Sequence, residues 1–275
     1  MDKEARFALA ASWIRDADGL LITAGAGNGV DSGLPDFRGD TGFWHAYPPL
    51  RDAGLSFHDM ANPAGFVQHP RLSWGFYGHR LALYRDTVPH EGYGRLLDWA
   101  SKMTHGAFVF TSNVDGQFQK AGFDPARVVE CHGSIHAMQC MEPCGFRYWS
   151  ADQFVPDVDI ARCELRNALP TCPHCGGMAR PNILMFNDWH WVNAAAEQQH
   201  AALMQWLNDV KKLVVIELGA GTAVPTVRHF SERMGQRIIR INPREFAIAP
   251  SLGIGIQQSA LAGLQLLDAQ IKLSE

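Results

Sequence analysis

Short, nearly unbroken apolar runs alternate along this chain with stretches of helical periodicity. The runs at 19–24, 107–111, 127–130, 212–218 and 237–241 have the character of central strands, buried on both faces of a parallel sheet. Residues 3–16 read as an opening helix with Phe7, Ala8, Ala11 and Ile14 on one face. A closing helix is expected over 257–272, with Leu261, Leu264, Leu267 and Ile271 at helical spacing. The pattern predicts an α/β fold, a doubly wound parallel sheet whose ligands bind at the carboxyl ends of its strands. Polar loops follow residues 24, 111, 130, 218 and 241, each at such an end.

Two segments do not fit this core. Residues 44–104 are rich in His, Pro, Trp and Tyr and read as a helical insert, while 133–180 hold five of the six cysteines. The sheet domain is therefore expected over 1–43, 105–132 and 181–275, with a small metal-stabilised module over 133–180. A chain of 275 residues that is 47% hydrophobic can build this core, and no apolar run approaches a membrane span. Its net charge of −4, with no Lys/Arg block, gives no electrostatic footprint for nucleic acid or membranes. The start Met1-Asp-Lys-Glu-Ala-Arg lacks the basic-then-apolar pattern of a signal peptide. Six cysteines are too few for a secreted disulfide scaffold, so a reducing cytoplasm is expected.

Cys140-Met-Glu-Pro-Cys144 and Cys172-Pro-His-Cys175 form two close pairs, 27 residues apart. Two such knuckles can bring Cys140, Cys144, Cys172 and Cys175 into the closed tetrahedron of a structural zinc site. A module of this size with little apolar content needs such a staple. His136 and His174 are spare donors, and Cys131 and Cys163 read as buried thiols.

The polar loops carry the remaining chemistry. The stretch Gly25-Ala-Gly-Asn-Gly-Val-Asp-Ser-Gly-Leu-Pro-Asp-Phe-Arg-Gly39 follows the first strand, where backbone N–H groups can meet an anion. A dehydrogenase fingerprint would place its third glycine at Val30, and it is missing. Thr111-Ser-Asn-Val-Asp115 ends the second strand; Asn113 can bind a ribose hydroxyl or a water, and Asp115 can cap the next turn. Cys131-His-Gly-Ser-Ile135 ends the third, and His132 is the natural general base there.

Taken in order, these motifs resemble the sirtuins, NAD-dependent protein-lysine deacylases. The likeness spans about residues 18–265 and includes Cys175-Gly-Gly-Met-Ala-Arg-Pro-Asn-Ile-Leu-Met-Phe186, Gly219-Ala-Gly-Thr222 and Ile241-Asn242. It implies a Rossmann-like domain, a small zinc-binding module, and NAD consumed as a co-substrate in the cleft between them. Gly25, Ala26 and Gly27 would lie on the pyrophosphate, with Asp36, Phe37 and Arg38 toward the nicotinamide end and Ser112, Asn113 and Asp115 beside the ribose. Gly219, Ala220, Gly221 and Asn242 would hold the adenosine half. The acyl-lysine carbonyl oxygen would attack the ribose anomeric carbon as nicotinamide leaves. His132, with Asn113, would then act at the ribose hydroxyls so that the 2′-oxygen takes the acyl group. Ile183 and Phe186 would contact the substrate peptide, an acylated-lysine protein segment.

Several positions depart from the family pattern. Ser112 stands where the family usually has Gln, Phe186-Asn187-Asp188 where it has Phe-Gly-Glu, and Asn28-Gly29 where a small apolar residue and Ser are usual. The first cysteine knuckle is one residue wider. Tyr77 and Arg80, three apart on a helix face, match the Tyr-x-x-Arg pair of sirtuins that remove succinyl or malonyl groups, in which Arg forks onto the acyl carboxylate. The sequence thus predicts a deacetylase that also takes succinyl- or malonyl-lysine. The alternatives on the same fold are a protein ADP-ribosyltransferase, an NAD hydrolase and a non-enzymatic NAD sensor. The presence of His132 favours deacylation.

Overall fold

The structure, a computed structural model, describes residues 2–36, 39–142, 144–145 and 147–273. In chain order its strands are β1 (Gly19–Ala24), β2 (Ala107–Thr111), β3 (Val128–Glu130), β4 (Gly133–Cys140), β5 (Tyr148–Ser150), β6 (Val158–Asp159), β7 (Glu164–Leu165), β8 (Ala179–Ile183), β9 (Leu213–Leu218), β10 (Ile238–Ile241) and β11 (Gly253–Ile256). Six of them form one sheet in the order β11-β10-β9-β1-β2-β3, and all of its pairings are parallel. The chain builds outward from β1 to β3 and then returns to the other side of β1 at β9. That reversal puts the loops after β1 and β9 side by side at the carboxyl edge, where such sheets open a crevice.

Leu20, Ile22, Val109, Val214 and Ile216 pack on one face with the helices Lys3–Asp16, Gly92–Ser101 and Ala260–Lys272. Leu21, Phe108, Val129 and Val215 pack on the other with Leu203, Trp206 and Phe230. This two-sided burial explains why the strands read as continuous apolar runs. Ala8 differs from expectation: it is exposed and Ala10 is buried with Phe7, Ala11 and Ile14. Position 8 lies about 100° around the helix from position 7, off the buried stripe. Strands expected from 127, 212 and 237 begin one residue later, leaving Arg127, Lys212 and Arg237 at their entries.

The edge strand β11 was not expected from the sequence. Its Gly-Ile-Gly-Ile run has little strand propensity, and glycine is there for proximity. A Cβ at Gly255 would lie 2.2 Å from the Phe246 carbonyl oxygen. The closing helix accordingly starts at Ala260 behind the Ser259 cap, not at 257.

The segments read as an insert and a zinc module share one core. Strands β5, β4 and β8 form an antiparallel sheet, and its Met138, Ala179 and Ile183 pack with Phe43, Phe66, Trp74 and Tyr77 from the helical stretch. Trp74 Nε1 donates to the Ala179 carbonyl at 3.0 Å. Strand β8 runs across the boundary expected at 180/181. The helix Gly92–Ser101, inside the expected insert, instead buries Tyr93, Leu96 and Trp99 against the parallel sheet. No helix among the described residues is long and apolar enough to cross a membrane.

Candidate active site

The loops at the reversal point touch backbone to backbone. Gly25 N–H donates to Leu218 O, Gly27 N–H to Gly219 O, and Gly219 N–H to Ile241 O, at 3.0–3.1 Å. Gly219 has φ +59°, and a Cβ on it would lie 2.3 Å from Asn28 N. At Gly25 a Cβ would come within 2.8 Å of the Ala220 Cα. The cradle therefore requires glycine at both positions, as a phosphate-approaching loop does. Asn242 is fully buried and braces it: Nδ2 donates to Ala220 O at 3.0 Å, and Oδ1 accepts from Arg244 and Glu245 N–H. Ala220 is buried, Gly221 is half-buried beside it, and Arg228 donates to the Ala220 and Glu245 carbonyls. Ala26 opens a 3-10 helix, Ala26–Ser32. Asp36 is paired with Arg244 at 3.7 Å, which ties this loop to the one after β10. Phe37 and Arg38 lie outside the described residues.

Asn113 joins the second loop to the cradle, its Nδ2 donating to Gly25 O at 3.1 Å. Ser112 is half-buried, and its N–H donates to Ala24 O. Asp115 performs the capping expected of it, accepting from Gln117 N–H at 2.9 Å. Its burial pushes the carboxyl up to about 6. His132 follows β3 and is half-buried, and burial holds its imidazole below the usual histidine range. It is therefore neutral near pH 7, with one ring nitrogen bare to accept a proton. Two residues earlier, burial pushes Glu130 up to about 7, and its Oε1 has no hydrogen-bond partner among the described residues. A cavity of about 520 Å³ adjoins this edge, lined by Asp115, Glu130, Gly133, Ser134, His136 and Asn182 but not by the glycine cradle.

Ile183 and Phe186, expected on the substrate side, lie in β8 and its continuation. Leu184 N–H donates to His132 O and Phe186 N–H to Ala61 O, so this segment starts directly at His132. Ile183 is buried; Phe186 is partly exposed and stacks on His58 with ring centroids 4.3 Å apart. Asn187 has φ +56°, the left-handed region for which Asn is the best-suited residue after Gly. Asp188 pins the turn, both oxygens taking Arg180 guanidinium N–H bonds at 2.7 Å in a fully buried ion pair. Tyr77 and Arg80 do share a face of the helix Pro70–Asp86, and both are buried rather than solvated. The Arg80 guanidinium donates twice to Tyr84 Oη, at 2.9 and 3.0 Å, and lies 5.5 Å from the Tyr77 ring centre. Tyr84, which accepts these bonds, lines the same cavity as Asp115.

The four cysteines converge. Sγ atoms of Cys140 and Cys175 are 3.6 Å apart, those of Cys144 and Cys172 3.4 Å, and all four lie within 4.8 Å of one another. A zinc ion with four 2.3 Å thiolate bonds requires sulfurs about 3.8 Å apart, so the cluster fits zinc. His174 and His136 stand outside the cluster: one contacts Arg147, the other Asp115 O. Cys131 and Cys163 are shielded thiols, each pushed to about 12 by burial.

Residues 25–224 match the sequence profile of the Sir2 family. The chain belongs to the Sir2 family. Its relatives include the NAD-dependent protein deacylase of Aquifex aeolicus, 26% identical over 248 residues that cover 90% of this chain and 92% of that protein. The NAD-dependent protein deacylase 2 of Pyrobaculum aerophilum is 30% identical over 255 residues, covering 92% and 90%. A solved Sir2 homologue–NAD complex matches this Sir2 fold with a TM-score of 0.71, at 22% identity over 100% of this chain and 96% of that one.

Three parts of this Sir2 site were not found from the sequence. The Arg180–Asp188 pin joins residues eight apart whose pairing depends on the turn at Asn187. Arg240 and Glu217 face each other in adjacent strands as a buried ion pair at 2.6 Å, interrupting otherwise apolar runs. The third is the set around Asn28: its Nδ2 donates to Tyr93 Oη at 2.9 Å, and its carbonyl meets His90 Nε2 at 3.1 Å. Asn28 itself was visible as a departure from the family pattern; its partners were not.

Proposed function

We propose that this protein is an NAD-dependent protein-lysine deacylase that accepts acetyl-lysine and also succinyl- or malonyl-lysine. The observation that carries this reading is the position of His132. Its carbonyl starts the Leu184–Phe186 segment, and its loop lies at the carboxyl edge that also holds the glycine cradle. One acyl-lysine, one NAD and one water would give lysine, nicotinamide and 2′-O-acyl-ADP-ribose. Bound NAD supplies a ribose that releases nicotinamide at C1′ and accepts the acyl group at the 2′-hydroxyl. The Gly25–Gly27 and Gly219–Gly221 loops hold the phosphates and adenosine with Asn242 behind them. Ser112, Asn113 and Asp115 line the ribose and nicotinamide end, with Asp36 contributed by the first loop. Neutral His132 takes the ribose hydroxyl proton. The peptide lies along Ile183–Phe186, adding a strand to a sheet edge.

Arg80, oriented by Tyr84 and flanked by Tyr77, supports recognition of an acyl carboxylate through a bidentate fork. Zinc held by the four cysteines is structural, a closed site with no open position. None of the six cysteines is joined in a disulfide, which suits a reducing compartment such as the cytoplasm.

Mass spectrometry of reactions with NAD and matched acetylated and succinylated peptides tests the reading. O-Acyl-ADP-ribose should form from both, and His132→Ala should lower its formation at least about a hundredfold. Arg80→Met should suppress desuccinylation at least tenfold more than deacetylation, as loss of a charged hydrogen-bonded pair implies (about 1.5–3 kcal/mol). ADP-ribosylated protein without deacylated lysine would sink the assignment.

A further inference from the structure

The Ala26–Ser32 segment of this chain is held by contacts to His90 and Tyr93, one of them made by the side chain of Asn28, a departure from the family pattern. Asn28 is 1% exposed, and its Nδ2 donates to Tyr93 Oη at 2.9 Å. Its Oδ1 is buried without a partner among the described residues, so the side chain is retained for the Tyr93 bond and not for general polarity. The Asn28 carbonyl meets His90 Nε2 at 3.1 Å, and Gly92 N–H points at His90 Nδ1 at 3.1 Å. His90 N–H also donates to Ser32 Oγ at 2.9 Å, at the end of the same 3-10 helix. One residue before Ser32, Asp31 accepts Leu261 N–H at 2.7 Å from the closing helix. The segment Ala26–Ser32 is thus fastened at both ends to the parallel-sheet domain.

The two ring bonds define the protonation of His90. A carbonyl only accepts, so Nε2 must carry a hydrogen; an amide N–H only donates, so Nδ1 must be bare. Both bonds exist together only in the neutral Nε2–H tautomer. We propose that Asn28, His90 and Tyr93 form a latch that positions the Ala26–Ser32 loop for NAD.

The surroundings of the ring agree. Burial holds His90 below the usual histidine range, while its bond to the Asn28 carbonyl and the carboxylates of Asp31, from the loop, and Glu91, beside it, act in the opposite sense. Tyr93 packs on the ring at 4.7 Å, and the closing helix presents apolar Leu264. The neutral ring prevails at and above neutrality; protonation removes the Gly92 bond at Nδ1 and leaves the Nε2–H bond to the Asn28 carbonyl in place. His90 and Tyr93 touch the loop and not the reacting atoms; both are positioning residues.

The latch rests on the deacylase reading only through its ligand, and calorimetric titration with ADP-ribose tests it without turnover. His90→Ala removes the donor toward Asn28 and should weaken ADP-ribose about five- to tenfold, the size expected for loss of a hydrogen bond. His90→Gln supplies a donor amide toward Asn28 and should restore most of that affinity. Tyr93→Phe should weaken ADP-ribose about five- to tenfold and raise the KM for NAD, with kcat and peptide KM unchanged. Unchanged affinity in His90→Ala or in Tyr93→Phe overturns the latch while leaving the deacylase reading intact. Absence of ADP-ribose binding by wild type overturns both. Should the variants fail to fold, the wild-type protein still decides: nitrogen NMR must show His90 as the Nε2–H tautomer at pH 8, and a protonated or Nδ1–H ring there refutes the proposal.

Discussion

Asn187 shows how a departure from a family pattern can preserve a backbone. Its φ of +56° belongs to a region that costs most residues about 1–2 kcal/mol and glycine almost nothing. Glycine, the usual residue of the family pattern here, adopts this region freely, and Asn keeps the turn by tolerating it. Asn187→Gly should therefore leave melting temperature and peptide KM nearly unchanged. Asn187→Ala should lower stability by about 1 kcal/mol and raise peptide KM, because the turn after Phe186 would relax. Thermal melts and peptide kinetics on the two variants check this; equal effects from Gly and Ala would show that the turn does not govern the substrate edge. The same logic applies at Gly219, but there no substitute is tolerated, because the neighbouring loop lies within 2.3 Å of any added Cβ.

At the scale of elements, the sheet was legible where the chemistry is one-dimensional. Strands β1, β2, β3, β9 and β10 are apolar because both their faces are covered, and that signal survives without knowledge of neighbours. Strand β11 exists because glycines admit Phe246 and Ile238, a reason that lies in another part of the chain. Helix Gly92–Ser101 was assigned to the insert by its position, whereas its packing partner is the parallel sheet. The site followed the same division. Cys140, Cys144, Cys172 and Cys175 converge as their local spacing predicted, and Asn113 and His132 follow β2 and β3 as their place in the sequence predicted, while the Arg180–Asp188 pin needs the fold. That pin is testable. Asp188→Asn leaves the Arg180 charge buried without its counter-ion, a change that costs about 3–5 kcal/mol. The edge that follows β8 should loosen with it: peptide KM should rise far more than the KM for NAD, and amide exchange should accelerate over 184–190. Uniform loss of both affinities would show the pin to be a general prop and not a support of the peptide edge.

The whole molecule is divided differently from its sequence, and zinc removal should expose the division. The parallel sheet has an apolar core on each face, built from its own strands and the helices that cover it. The small antiparallel sheet has no separate core: Met138, Met141, Ala179 and Ile183 pack with Phe43, Leu50, Phe66 and Trp74 from the helical stretch. Zinc bound by four thiolates contributes on the order of 10 kcal/mol, comparable to the entire stability of a domain. Its loss should free the Cys140 end of β4 and the turn leading into β8. From there disorder should pass into the helices between Gly39 and Asp86, because they share that core, and into Leu184–Phe186, which continues β8. The glycine cradle hangs instead from β1, β9 and β10 and should survive. Chelation is therefore expected to release one zinc per chain, change the environment of Trp74 and abolish peptide deacylation. ADP-ribose affinity should stay within about threefold, since none of its expected contacts lies in the zinc-bearing body. Zinc release measured by a colorimetric chelator, followed by near-ultraviolet circular dichroism and ADP-ribose titration on the same sample, separates the two bodies. A single cooperative unfolding that removes ADP-ribose binding together with zinc would mean that the two cores stand or fall as one.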